Sequence, residues 1–208
     1  KLGYIPTFSA YYPLSQNMMI DLEWAYRLDR AYTGNTLTQN TGKHNRYWIR
    51  IASEKLDVRL GLQKIVFGPS QVLRSLSWFD TINPKDPTGH TDGVEAFRLR
   101  YFPSNSLVLW TWIMKNTSNT LSYGGRGEFS TNLGEWALTY HIDSPNSQKQ
   151  AAIDYRYDGF IGFWNESTMT QSDSMDIKMV TLGADYTLPI SNGILLMAES
   201  MFIFSREN

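Results

Sequence analysis

The sequence predicts an all-β chain, an antiparallel transmembrane β-barrel with about twelve strands visible, as part of a larger barrel. Three observations carry that prediction. Apolar and polar residues alternate with a period of two along much of the 208 residues, which is the period of a strand with one oily and one wet face. Aromatic residues make up 14% of the chain, with seven Trp and twelve Tyr, in the direction expected where rings sit at membrane interfaces. Short links between strands alternate with longer polar ones, as turns and loops do on the two rims of an outer-membrane barrel.

Alternation is clearest from Met18 to Asp29. Met18, Ile20, Leu22, Trp24, Tyr26 and Leu28 fall on one face, and Asp21, Glu23, Arg27 and Asp29 on the other. Such a segment is long for a soluble protein, where about five or six residues is typical, and suits a tilted membrane strand of about nine to eleven. Leu56, Val58, Leu60 and Leu62 oppose Asp57, Arg59 and Gln63 in the same way. Trp136, Leu138 and Tyr140 oppose Glu135, Thr139 and His141; Ile153, Tyr155 and Tyr157 oppose Asp154, Arg156 and Asp158. Val180, Leu182, Ala184, Tyr186 and Leu188 oppose Thr181, Gly183, Asp185 and Thr187. The segment Ala151 to Trp164 reads either as one long strand or as two joined at Asp158-Gly159. The apolar runs Leu107 to Met114 and Ile194 to Ala198 are far shorter than the roughly 20 residues of a spanning helix.

A soluble sandwich with its oily face inward gives the same alternation strand by strand, so the links decide. Short ones stand at Pro13 to Asn17, Ser53 to Lys55, Pro103 to Asn105, Thr131 to Leu133, Tyr157 to Gly159 and Pro189 to Gly193. Longer ones are expected at Thr33 to Asn45, Phe67 to Asp92, Lys115 to Ser122, Asp143 to Gln150 and Glu166 to Asp176. There is no repeat, linker or low-complexity tract, so residues 1–208 form a single β-barrel domain. Lys1-Leu2-Gly3-Tyr4 already alternates like a strand, and Phe202 to Asn208 does not finish on an aromatic residue; truncation at both ends is expected.

A formal net charge of −1 and a pI near 6.3 give no basic excess to gather phosphates, which argues against nucleic-acid binding. With no Cys, disulfide frameworks, thiolate metal sites and Cys nucleophiles are excluded together. Only His44, His90 and His141 could serve a Ser-His hydrolase. His141 has no evident Ser partner, and phosphate-loop, HExxH and GxSxG motifs are missing. An enzyme is not expected, nor a cofactor.

The longest link is the informative one. A loop over 67–92 rich in Pro, Trp and Phe is expected to be ordered and functional, folding into or over the lumen. Asp80, Asp86 and Asp92 within it are candidate pore-lining residues; they could also supply oxygens to Ca²⁺ or simply cap turns beside Pro and Gly, and no metal site is assigned. Arg59, Glu95, Arg98, Arg100, Arg126 and Glu128 complete the expected lumen or constriction, with Arg98 and Arg100 the leading candidates for its narrowest part. Opposed rows of Arg and carboxylate can select solutes or merely stabilise the wall as cross-strand pairs. Leu22, Trp24, Leu60, Trp136 and Leu182 are expected to face lipid, and Trp24, Tyr26, Tyr101, Trp110, Trp136 and Tyr186 to hold the interfaces.

The run Gly61-x-Gln63-x-x-x-x-Gly68, followed by Asp80 and by Asn83-Pro84-x-Asp86, resembles the strand-loop unit of porin-like Gram-negative outer-membrane barrels, alginate-export-type proteins among them. Thr91-Asp92-Gly93 and Leu182-Gly183-Ala184-Asp185-Tyr186 are similar in kind. The resemblance implies a channel in the outer membrane for diffusion or export of small polar solutes, surrounded by outer-membrane lipid. A homo-oligomer is compatible with it, although no residue marks an interface. Two alternatives remain: a non-conducting barrel that anchors or binds extracellular polysaccharide, and a soluble carbohydrate-binding β-sandwich.

Overall fold

The computed structural model describes residues 2–80, 91–115, 120–144, 147–190 and 192–207. Among them thirteen strands form: β1 Leu2–Tyr4, β2 Thr7–Ser15, β3 Met18–Thr33, β4 Thr36–Ser53, β5 Leu56–Gln63, β6 Val94–Ser104, β7 Leu107–Lys115, β8 Leu121–Thr131, β9 Gly134–Asp143, β10 Gln148–Tyr157, β11 Gly162–Gln171, β12 Met175–Leu188 and β13 Ile194–Glu207. They make one antiparallel sheet in the order β1-β3-β4 and onward to β13, with β2 also paired to β3.

The first two strands share one partner. β1 lies against Leu28 to Arg30 of β3 and β2 against Met18 to Ala25. Pro6 stands between them; it has no N–H to give the ladder, yet its carbonyl accepts the Tyr26 N–H at 3.1 Å. β1 and β2 are therefore one interrupted rail, and the number of rails matches the sequence-based count.

Internal contacts divide the chain into two units, Lys1–Val66 with Phe79–Leu99, and Phe67–Trp78 with Arg100–Asn208. In the first, Ala25, Arg27 and Asp29 of β3 are buried while Leu22, Trp24 and Leu28 are exposed. A bulge in β4 interrupts this order: Ala25 pairs with Arg46 and Tyr26 with His44. Asn45 is the extra residue, and both it and Arg46 are buried.

The second unit follows the same rule. Buried Thr139 and His141 alternate with exposed Leu138 and Tyr140, and Asp154 is buried beside exposed Ile153. In both units the charged face is the sheltered one and the oily face the open one. A water-soluble sandwich requires the opposite, because it is stabilised by taking apolar surface out of water; the orientation suits a wall whose outer medium is hydrocarbon.

Several expected links are strand instead. Thr33 to Asn45 is a ribbon in which β3 and β4 continue to a turn at Gly34, whose φ is 58°. Glu166 to Asp176 is also corrected, since β11 runs on to Gln171. Both stretches are polar on their two faces, so they carry no period-two signal, although their backbone groups still pair. Ala151 to Trp164 resolves into β10 and β11, joined through Asp158 to Ile161. Between β5 and β6, the described residues 64–80 and 91–93 hold no strand.

Candidate functional site: a charged strand face and the segment docked on it

In the first unit the sheltered face carries a relay of ion pairs that crosses four adjacent strands. Asp21 of β3 accepts two bonds from Arg50 of β4, at 2.8 Å from Nε and 2.7 Å from Nη2. Arg50 Nη1 also reaches Asp57 of β5 at 3.3 Å, and the other oxygen of Asp57 accepts Arg98 Nη2 of β6 at 3.4 Å. Arg59 behaves differently: its guanidinium carbon lies 4.1 Å from the Trp48 ring centroid.

The start of the long link is fixed by its own residues. Gln63 is fully buried and donates from Nε2 to the Ala96 carbonyl at 2.9 Å. A side chain on Gly61, whose φ is 122°, would meet the Tyr47 carbonyl oxygen at 2.2 Å. At the far end Arg46 Nη2 donates to the Thr91 carbonyl at 3.0 Å, and Lys43 pairs with Asp92 at 2.7 Å in the open. Asp80 is buried. Asp86 lies outside the described residues, as do Asn83, Pro84 and His90.

Glu95 departs from expectation. Along β6, Ala96 and Arg98 are buried, while Glu95 and Phe97 are exposed. Glu95 accepts the Tyr47 hydroxyl on the oily side. The strand enters the sheet at Val94, one residue beyond the turn signal Thr91-Asp92-Gly93, and the sequence around that entry does not fix which parity faces inward.

The second unit holds the main feature. Residues Phe67–Trp78, within the expected loop, dock on its sheltered face through two carboxylates. Glu166 of β11, with no exposed surface, accepts the N–H groups of Ser70 and Leu76, each at 2.9 Å, and the Ser75 hydroxyl at 3.2 Å. Gly68 makes the approach possible: its φ is 80°, and a Cβ there would sit 2.1 Å from Glu166 Oε1. Glu199 of β13 accepts Gln71 N–H at 2.7 Å, Val72 N–H at 2.9 Å and Leu73 N–H at 2.7 Å. Trp164 Nε1 donates to the same carboxylate at 3.0 Å. Successive amides converging on one anion form the concave donor set known as a nest, here filled by a side chain.

Beside this clamp Phe67 packs edge-on to Trp110 at 5.6 Å between centroids and lies 5.2 Å from Trp112. Arg126 stands 5.0 Å from the Phe67 ring centroid. It is held by Asp154 at 2.5 and 3.0 Å, by Glu128 at 2.7 Å and by Thr139 Oγ1 at 2.7 Å. Glu128 also accepts Trp110 Nε1–H at 3.0 Å. Arg100 lies over the Trp110 ring at 4.2 Å and near Phe102 at 5.0 Å.

Trp110 therefore sits on the charged face and is not an interface anchor, contrary to expectation. Its strand is apolar at nearly every position, so alternation cannot tell one face from the other. His141 is buried, with Nδ1 accepting Trp112 Nε1–H at 3.2 Å. Leu22, Trp24, Leu60 and Leu182 are exposed on the oily face. Trp136 shares it, stacked on Phe129 at 6.4 Å and 4.3 Å from Tyr155. Glu166 and Glu199 were missed as partners of the loop; the sequence cue is that Glu166 is the one charged residue of β11, while Glu199 has uncharged neighbours but shares β13 with Arg206 and Glu207.

This architecture is the porin fold. A triple mutant of Rh. blastica porin superposes with a TM-score of 0.53 at 13% identity, over 96% of this chain and 84% of that one. A chain described as "Asymmetric conductivity of engineered proteins" gives 0.52 at 12% identity with the same coverage. A quintuple mutant of Rh. blastica porin gives 0.51 at 11%, over 98% of this chain and 88% of that one. No protein-family model matches the chain, and no curated protein sequence does.

Proposed function

We propose that this protein is a porin-like channel of the Gram-negative outer membrane, through which small hydrophilic solutes diffuse passively. The observation that carries the reading is the segment Phe67–Trp78 clamped by Glu166 and Glu199 to the charged face. A segment fixed there narrows the lumen without closing it. Arg59, Arg98, Arg100, Arg126 and Glu128 line that lumen, with Asp80 and Asp92 at the ends of the described part of the link. Leu22, Trp24, Leu60, Trp136 and Leu182 face acyl chains. A closed barrel satisfies every backbone amide in hydrocarbon, which an open sheet cannot do. The test is conductance of the full-length protein in planar bilayers. Discrete, stable current steps are expected; a bilayer that stays silent at high protein density would instead favour an anchor that binds polysaccharide with its loops.

A further inference from the structure

We infer that Arg100, and by the same design Arg59, are stations that bind the carboxylate or phosphate group of small anionic solutes. The inference rests on the channel reading and names the solute class it favours. Most arginines of the charged face are neutralised in place. Arg27 pairs with Asp29, Arg50 with Asp21 and Asp57, Arg98 with Asp57, Arg126 with Glu128 and Asp154. Pairs of that kind are what a wall needs for its own stability.

Arg100 and Arg59 stand apart from the set. Among the described residues neither guanidinium has a hydrogen bond or an ion pair, and in each the Nε is buried without a partner. What each has is an aromatic face: Trp110 at 4.2 Å for Arg100 and Trp48 at 4.1 Å for Arg59. Stacking holds the flat side of a guanidinium by cation–π attraction and leaves its edge, a rigid fork of N–H donors, unused. That fork matches the two oxygens of a carboxylate or phosphate.

The second unit supplies an internal comparison. Arg126 and Arg100 flank connected aromatic rings, Phe67 and Trp110. Glu128 is committed to Arg126 and to the Trp110 indole, so the charge of Arg126 is answered and that of Arg100 is not. A cation left uncompensated at a polar surface raises the local concentration of anions. An anion arriving at Arg100 completes a pairing that the wall withholds, and it leaves readily because the site is one-sided, as conduction requires.

The experiment uses the full-length protein in planar bilayers under a KCl gradient, with Arg100→Gln and Arg59→Gln, and with the neutralised pair Arg156→Gln/Asp158→Asn, which leaves the net charge unchanged, as control. The chloride-to-potassium permeability ratio should fall about threefold for each of the first two, the size of one unit charge acting at roughly 7 Å through water, and stay unchanged for the control. Addition of acetate or of inorganic phosphate to one chamber should depress chloride current in the wild type and less in Arg100→Gln; whichever does so more strongly identifies the preferred oxyanion. Heat-modifiable gel mobility reports folding. If Arg100→Gln does not fold, Arg100→Lys replaces it, because it keeps the charge and loses the fork, and weaker acetate or phosphate block is then expected. A conducting wild type whose ratio and block are the same in the variants overturns the inference and leaves the channel standing. A wild type that does not conduct overturns both.

Discussion

Replacing Glu166 with Ala should release the docked segment. In the native protein its carboxylate takes two backbone N–H groups at 2.9 Å and the Ser75 hydroxyl at 3.2 Å. A buried donor that loses its acceptor costs about 1–3 kcal/mol. Water that enters the vacated place would answer part of that loss, so the lower figure is used for each, about 3 kcal/mol in all. That corresponds to a rise of about a hundredfold in the population of lifted segment. Arg74 lies inside the segment, with Nη2 near the Phe67 carbonyl at 3.5 Å, and trypsin cleaves after arginine. When opening is fast relative to cleavage, the rate follows the open population. Cutting at Arg74 in the folded, detergent-solubilised protein should accelerate by about that factor in Glu166→Ala. Glu166→Gln, whose amide oxygen still accepts, should show about a tenfold increase, the difference reflecting the loss of charge assistance. If Glu166→Ala is cut within about twofold of the wild-type rate, the carboxylate does not hold the segment, and the argument from its hydrogen bonds fails.

Two further predictions concern the wall. Arg126→Met leaves Asp154 buried and unpaired and should lower stability in urea or guanidinium titrations by about 3–5 kcal/mol. Adding Asp154→Leu should recover most of the loss; a double variant no better than the single would refute the pairing as the cause. Leu60→Arg places a charge on the exposed oily face and should cost about 2–4 kcal/mol near the bilayer midplane and less near a rim. Folding into lipid vesicles measures it, and a Leu60→Arg protein that folds as well as wild type would place that face in water.

What the sequence made legible depended on contrast between the two faces of a strand. Leu22 against Arg27, Leu60 against Asp57, Leu138 against Thr139 and Leu182 against Thr181 could be assigned because one parity is apolar and the other is not. Where contrast vanished the assignment failed in two directions. The polar ribbon from Thr33 to Asn45 looked like loop, and the apolar strand holding Trp110 and Trp112 gave no clue that both indoles face the charged side. Near the start of the docked segment Gly61 and Gly68 were legible, since each solves a local backbone problem; Gln63 stands between them, but its partner is the Ala96 carbonyl, 33 residues on. The segment's fastening was not, because Glu166 and Glu199 meet it from about a hundred residues away, and nothing in periodicity links them.

The relay from Asp21 through Arg50 and Asp57 to Arg98 also ties the register of four neighbouring strands to one arrangement of charges. Side chains change sides with every residue, so a slip of a single position between neighbouring staves would turn ionic groups toward the hydrocarbon and strand their former mates. Only one alignment satisfies all four groups together.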